Sequence, residues 1–267
     1  MQYLAESCRK LQNSAMLDLN CPQTRQKLIR DRLERRQPLV AAVLAGELGI
    51  SPDTLRRDLI ALEAEGLLRR VRGGAVPVDH PMPPYAERAA APDPGLARLA
   101  KAALPLLDGA RTVFLDGGTT MTALAERLPE GFPGLVVTPA PSVALAASSR
   151  GAGVHLIGGA LCPDGAMATG GGAESALRGI AGDICLLGAC GLWPGFGLAA
   201  ENAAEAGVKR AMARAAARVA VVASAAKLDR RGRHRVLAPE EIDLLVSDAA
   251  PAALAPFRAA GVELRHA

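Results

Sequence analysis

The run Ser51-Pro52-Asp53-Thr54-Leu55-Arg56-Arg57-Asp58-Leu59 combines hydroxyls, guanidinium groups and apolar residues at helical spacing. Ser51 followed by Pro52 has the form of a helix N-cap with proline at the first helical position. Leu55, Leu59 and Leu62 then share one face, while Ser51, Asp53, Thr54, Arg56 and Arg57 fall on or beside the other. Guanidinium groups can bond guanine edges bidentately, and hydroxyls can bond bases or phosphates. Arg69, Arg70 and Arg72 precede Gly73-Gly74 and would form a basic hairpin able to lie along a phosphate backbone or in a minor groove. Charge alone fits a solvated surface equally well; the spacing favours a nucleic-acid contact.

A second constellation is Asp116-Gly117-Gly118-Thr119-Thr120, directly after the apolar run Thr112–Leu115. Glycine lets a ligand approach the backbone, and free N–H groups at a helix start attract anions. Thr119 and Thr120 add hydroxyls. Asp116, at the C-terminal end of a strand, can accept sugar hydroxyls. A Gly-rich turn of this kind also serves simply to join two elements.

The elements that must hold these groups follow from periodicity. Arg25–Arg36 places Leu28, Ile29 and Leu33 on one helical face, with Pro38 as its stop. Val40–Leu48 predicts a short apolar helix with Gly49-Ile50 as the break after it, and Gly66 ends the helix that Ser51 begins. Leu67–Arg72 and Ala75-Val76 around Gly73-Gly74 predict a two-stranded hairpin. The proline-rich stretch His80–Pro94 marks a boundary. Beyond it, short apolar runs at Thr112–Leu115, Leu135–Thr138, Val154–Ile157, Ile184–Leu187, Val219–Val222 and Leu244–Ser247 alternate with helical patterns. The expectation is an α/β chain: an N-terminal extension at 1–24, a winged helix-turn-helix at 25–78, a linker at 79–94, and a larger α/β domain with a mostly parallel sheet at 95–267.

Composition agrees with that division. The net charge is +4, and residues 25–72 hold 11 Lys and Arg against 7 Asp and Glu, so the basic excess lies in the segment expected to meet a polyanion. The five cysteines, Cys8, Cys21, Cys162, Cys185 and Cys190, form no Cys-x-x-Cys pair and read as thiols of a reducing compartment. No metal or cofactor site is expected. The start lacks a signal-peptide pattern, and the uncharged stretches Gly131–Ser149 and Ile184–Ala200 carry Pro and Gly at turn positions, so a cytoplasmic chain without a membrane partner is expected. His155 reads as a core residue of its strand, Cys185 and Cys190 as buried thiols rather than a redox pair, and Arg230–Arg235 as loop surface. Trp193 fits a pocket wall or an interface equally well.

The head resembles the DeoR family of regulators. Arg25, Ile29 and Leu33, then Ser51, Thr54, Leu55, Arg56, Arg57, Asp58 and Leu59, follow the family's head pattern almost without gaps. The wing Leu68-Arg69-Arg70-Val71-Arg72-Gly73-Gly74-Ala75 matches as well, with Arg72 where the family usually has His. The resemblance adds Arg25 to the DNA-contacting set and makes Asp58 a structural partner of neighbouring arginines. It also implies a sensor domain similar to ribose-5-phosphate isomerase that binds a phosphorylated sugar or related metabolite. The implied effector residues are Asp116, Gly117, Gly118, Thr119, Thr120, Thr138, Gly158, Gly159, Glu205, Lys209 and Lys227; for Lys227 a surface salt bridge is an equal alternative.

Three positions depart from the family pattern: Pro139 for an amide, Cys190 for a carboxylate, and Gly95-Leu96 for Glu-Lys. An altered pocket follows. The resemblance implies a repressor of a carbohydrate operon, acting as a homodimer or homotetramer on a double-stranded operator. The alternative is a sugar-phosphate isomerase-like enzyme built on the same α/β domain.

Overall fold

The computed structural model describes residues 21–34, 39–65, 67–77, 83–91 and 93–267. Most of the extension placed at 1–24, the helix stops Pro38 and Gly66, and part of the expected linker lie outside these residues. The chain divides into two compact units, one up to His80 and one from Pro81 onward.

The first unit contains α1 (Pro22–Glu34), β1 (Leu39–Val40), α2 (Ala41–Leu48), α3 (Pro52–Ala64), β2 (Leu68–Val71) and β3 (Gly74–Pro77). Its core joins Ile29 and Leu33 of α1 to Leu44 and Leu48 of α2 and to Leu55, Leu59 and Leu62 of α3, with Leu68 and Ala75 beneath the wing. These are the apolar positions that helical spacing aligns. Ser51 caps α3 by accepting from Thr54 N at 3.2 Å, and Pro52 opens the helix. The wing differs from the expected hairpin: β1 pairs antiparallel with β3, giving a three-stranded sheet in the order β1-β3-β2. That pairing depends on Gly74, where a Cβ would stand 1.9 Å from the Leu39 carbonyl oxygen.

The second unit opens with α4 (Tyr85–Ala90) and α5 (Pro94–Ala103), so the stretch expected to be a linker carries a helix. Then follow β4 (Thr112–Leu115), α6 (Thr119–Ala125), β5 (Leu135–Thr138), α7 (Pro141–Ser149), β6 (Gly153–Leu156), the hairpin β7 (Ala160–Cys162) and β8 (Met167–Thr169), and α8 (Gly171–Leu177). The remainder is β9 (Ile184–Gly188), β10 (Gly191–Trp193), β11 (Gly197–Ala200), α9 (Ala203–Arg214), β12 (Val219–Val222), β13 (His234–Leu237), β14 (Leu244–Ser247), α10 (Pro251–Ala259) and β15 (Glu263–His266).

Seven strands form one sheet in the order β15-β14-β12-β9-β4-β5-β6, and every neighbouring pair is parallel. Its central strands are buried along their length, as parallel strands covered on both faces must be. From β4 the chain winds outward through β5 to β6; from β9 it winds the other way through β12 to β15. The order therefore reverses between β4 and β9, and a crevice opens at their C-terminal ends. A smaller antiparallel sheet, β10-β11-β13, lies outside this one.

His155 is not a core residue. Its strand β6 forms an edge of the sheet, and His155 and Leu156 are exposed. Apolar flanks do not reveal which strand ends a sheet. Nor is Arg230–Arg235 loop throughout, because His234 and Arg235 lie in β13.

Candidate functional site

In the first unit, α3 presents Ser51, Asp53, Arg56 and Arg57 outward while Leu55, Asp58 and Leu59 are buried; Thr54 is half-buried and shares a 2.8 Å hydroxyl contact with Ser51. Several cations of this unit are already matched. Arg30 meets Glu65, Arg32 meets Glu47, and Arg70 meets Glu63. Arg57 meets Asp53 one turn earlier at 2.6 Å, a weak pair at this exposure. Arg56, Arg69 and Arg72 are exposed and have no carboxylate partner among the described residues. The outer face of α3 and the wing thus supply uncompensated guanidinium groups on a rigid scaffold, the arrangement a groove contact requires.

Arg25 does not belong to that face. It is 6% exposed, and its Nε and Nη2 donate to Asp58 Oδ2 and Oδ1 at 2.7 and 3.3 Å. A motif position says nothing about depth, and this guanidinium braces α1 against α3. Asp58 is the structural partner the sequence suggested.

In the second unit, the crevice between β4 and β9 holds a cavity of about 350 Å³. Asp116 lies fully buried at the end of β4. Its Oδ2 accepts from Gly188 N at 2.9 Å, at the end of β9, and from Lys209 Nζ at 2.6 Å. The same ammonium donates to the Gly188 carbonyl at 3.1 Å and lies 3.1 Å from Glu205 Oε1. Glu205 and Lys209 are one turn apart on α9, so a single helix face presents both. Burial works against the ammonium, but the charges of Asp116 and Glu205 outweigh it and hold the Lys209 pKa far above the usual lysine value. Burial pushes the Asp116 carboxyl up, against the pull of Lys209.

One ammonium therefore serves two buried carboxylates. Glu205 Oε2 is buried and has no hydrogen-bond donor among the described residues. Asp116 Oδ1 is in the same condition, and of the two residues Glu205 belongs to the cavity lining.

Gly117, Gly118, Thr119 and Thr120 form the adjoining wall. Gly118 needs its φ of 98°, and a Cβ on Gly117 would stand 2.8 Å from the Gly165 carbonyl oxygen, so glycine lets the loop pack against the turn between β7 and β8. Lys227, on a short turn after β12, is the further expected residue that reaches the lining. Burial, then the charges of Arg230 and Arg88, lower its pKa to about 8. Leu96 and Cys190, two of the departures from the family pattern, also line the cavity; the Cys190 Sγ is 3.9 Å from Glu205 Oε1, and burial raises its pKa.

Four expected residues lie outside the lining; Asp116 is one, since it is fully buried and meets Lys209 instead of the cavity. Thr138 is buried and turns its hydroxyl to Ala140 N at 3.1 Å. Gly158 and Gly159 fall outside the lining; a Cβ on Gly159 would meet the Thr169 carbonyl oxygen at 2.7 Å, so this glycine lets the start of β7 pass β8. Trp193 is not a cavity residue either. It is partly exposed, and the Arg231 guanidinium lies 5.4 Å from its ring centre. Sequence reasoning missed Arg88, Asp93, Gly165 and Ser224, which join the lining from separate segments. Arg88 was hidden by its proline-rich surroundings, which read as a linker.

Comparison with known proteins agrees with the two units. Residues 25–80 match the DeoR-like helix-turn-helix domain, and residues 96–249 match the DeoR C-terminal sensor domain. The HTH-type transcriptional regulator GlpR of Haloferax volcanii is 35% identical over 207 residues, covering 77% of this chain and 81% of that protein. A putative aga operon transcriptional repressor of Escherichia coli O157:H7 is 30% identical over 247 residues, covering 90% of this chain and 92% of that one. Among solved structures, ribose 5-phosphate isomerase A of Methanocaldococcus jannaschii is a distant likeness, with a TM-score of 0.37 and 14% identity over 50% of this chain and 53% of that one. Among the described residues, no helix is long and apolar enough to cross a membrane. With a DNA-binding head and an effector-sensing domain matched along most of its length, the chain belongs to the DeoR family of transcriptional regulators.

Proposed function

We propose that the protein is a cytoplasmic repressor of a carbohydrate operon, relieved by a phosphorylated sugar or a chemically similar anionic polyol. The observation that supports the effector half is the unpartnered Glu205 Oε2, buried beside Lys209 on the lining of a cavity that also has Lys227 on its wall. The buried carboxylate accepts a hydroxyl, and the ammonium of Lys227 faces the anionic end. Asp116 holds Lys209, and Lys209 holds Glu205, so the acceptor is positioned before the ligand arrives. Gly117 to Thr120 let the ligand lie against the backbone.

On the DNA side, Arg56 and Arg57 lead α3 into the major groove, Ser51, Asp53 and Thr54 bond near its entry, and Arg69, Arg70 and Arg72 follow the phosphates. Two heads of a homodimer, or of a homotetramer, read paired half-sites of a double-stranded operator. The effector must bind the two arrangements of the assembly with different affinity, because equal affinity shifts nothing.

The test is operator affinity of the full chain on DNA from its own locus, with and without D-ribose 5-phosphate, D-glucose 6-phosphate, D-fructose 1-phosphate and sn-glycerol 3-phosphate. Release by at least one supports the reading. Unchanged affinity across the panel removes sugar-phosphate control while leaving the DNA contact intact.

A further inference from the structure

Arg88 is the one residue of α4 that lines the cavity. Its Nε donates to the Pro83 carbonyl at 2.9 Å, and its Nη2 donates to the Asp164 carbonyl at 2.5 Å. Its Nη1 points to the glycine loop, 3.9 Å from where a Cβ on Gly118 would begin. Both bonded acceptors are neutral, and no carboxylate pairs with Arg88 among the described residues. The guanidinium is half-buried. A cation in this state gains most from an anion with several acceptor oxygens, because a planar fork can bond two of them at once.

The surroundings agree. Lys227 lines the same cavity, and Arg88 is among the charges that lower its pKa, so the two cations repel one another across the lining. Lys209 is held by Asp116 and Glu205 and has little left to offer an anion. Glu205 thus offers an acceptor for a hydroxyl, and Arg88 and Lys227 offer cations for an anionic group, with the Asp93 carboxylate on the same lining.

The position of Arg88 in the chain matters as much as its charge. Helix α4 is fastened to the sensor at three points: Tyr85 N donates to the Pro163 carbonyl at 3.2 Å, the Tyr85 hydroxyl lies 3.3 Å from Thr122 Oγ1, and Arg88 reaches Asp164. Pro163 and Asp164 belong to the turn between β7 and β8, whose Gly165 also lines the cavity.

We infer that Arg88 is a ligand for the anionic group of the effector, and that its engagement re-seats α4. This rests on the sugar-phosphate reading of the cavity. On binding, Arg88 turns Nη1 and Nη2 to the anion and gives up the Asp164 carbonyl. That exchange makes affinity differ between the two seatings of α4, which is the condition for a ligand to act as a switch.

The experiment uses the full chain with D-ribose 5-phosphate, D-glucose 6-phosphate and sn-glycerol 3-phosphate as probes. Binding is measured by calorimetry for the wild type, Arg88→Met and Arg88→Lys, and backbone hydrogen exchange is followed over residues 83–91. The expected result is a loss of roughly 10- to 100-fold in probe affinity for Arg88→Met, from a lost charge-assisted bond. Arg88→Lys should recover part of it. Exchange over 83–91 should change with probe in the wild type and stay unchanged in Arg88→Met even at saturating probe. Should Arg88→Met fail to fold, Arg88→Gln replaces it in the same comparison.

Equal probe affinity in Arg88→Met and the wild type overturns the assignment and leaves the cavity reading standing. An exchange response that persists in saturated Arg88→Met overturns the re-seating of α4 by Arg88. If the wild type binds none of the probes, the sugar-phosphate reading itself fails and this inference falls with it.

Discussion

Lys209 and Asp116, 93 residues apart, meet at 2.6 Å with their side chains 3% and 0% exposed. An ion pair so deep costs much to desolvate, and its components are tolerable only together. Lys209→Met should therefore leave two buried carboxylates uncompensated and destabilise the sensor unit by about 3–5 kcal/mol. Denaturant unfolding of the full chain, followed on the transition of the sensor unit, measures this. A loss below about 1 kcal/mol would show that water reaches the pair freely.

The second prediction concerns Arg25. Arg25→Ala strips Asp58 of its partner inside the head, so the head should lose about 3 kcal/mol, the lower end for a buried pair because so small a unit keeps solvent near. The double variant Arg25→Met with Asp58→Leu should recover much of that loss, since no buried charge remains. If Arg25→Ala instead weakened operator binding with stability unchanged, Arg25 would return to the contact face.

Arg56 and Arg72 should behave in the opposite way. Each is exposed and without a carboxylate partner among the described residues, so alanine at either leaves the melting temperature almost unchanged. Arg56→Ala should weaken the specific operator complex by about 1–3 kcal/mol and relax preference at one base pair. Arg72→Ala should weaken binding to all sequences alike and lower the salt slope by about 1. A salt titration on operator and scrambled DNA separates the two. Identical behaviour of both variants would mean that neither reads a base.

A fourth prediction follows from Lys227, whose pKa lies near 8 through burial and the neighbouring Arg230 and Arg88, with Cys190 and Asp93 facing it as well. Below pH 8 the ammonium is already charged and an anionic effector meets it directly. Above pH 8 binding must first take up a proton, so sugar-phosphate affinity should fall as pH rises from 7 to 9. The phosphate is a dianion throughout this range and adds no slope of its own. Lys227→Met should flatten the profile. A profile in the wild type that is already flat would place the anion away from Lys227. The same shift lowers stability in the pH range where folded Lys227 resists its charge; that cost is complete below pH 8 and eases as pH climbs toward the ordinary lysine value.

What the sequence determined by itself is local. The cap of Ser51 on Thr54, proline at the first position of α3, the inward stripe of Leu55, Leu59 and Leu62, and the glycine loop after β4 all act over a few residues. Backbone sterics and helical periodicity settle such features wherever the chain places them. The parallel sheet was legible too, because strands covered on both faces must be apolar throughout.

Only the tertiary structure decided the depth of Arg25, the edge position of β6 that exposes His155, the pairing of β1 with the wing, and the retreat of Asp116, Thr138, Gly158 and Gly159 from the cavity lining. It alone brought Arg88 to Asp164 across 76 residues and Asp116 to Lys209 across 93. The reason is common to all of them. Spacing along a chain fixes which side chains share a face, whereas burial and charge pairing depend on what another element places opposite that face.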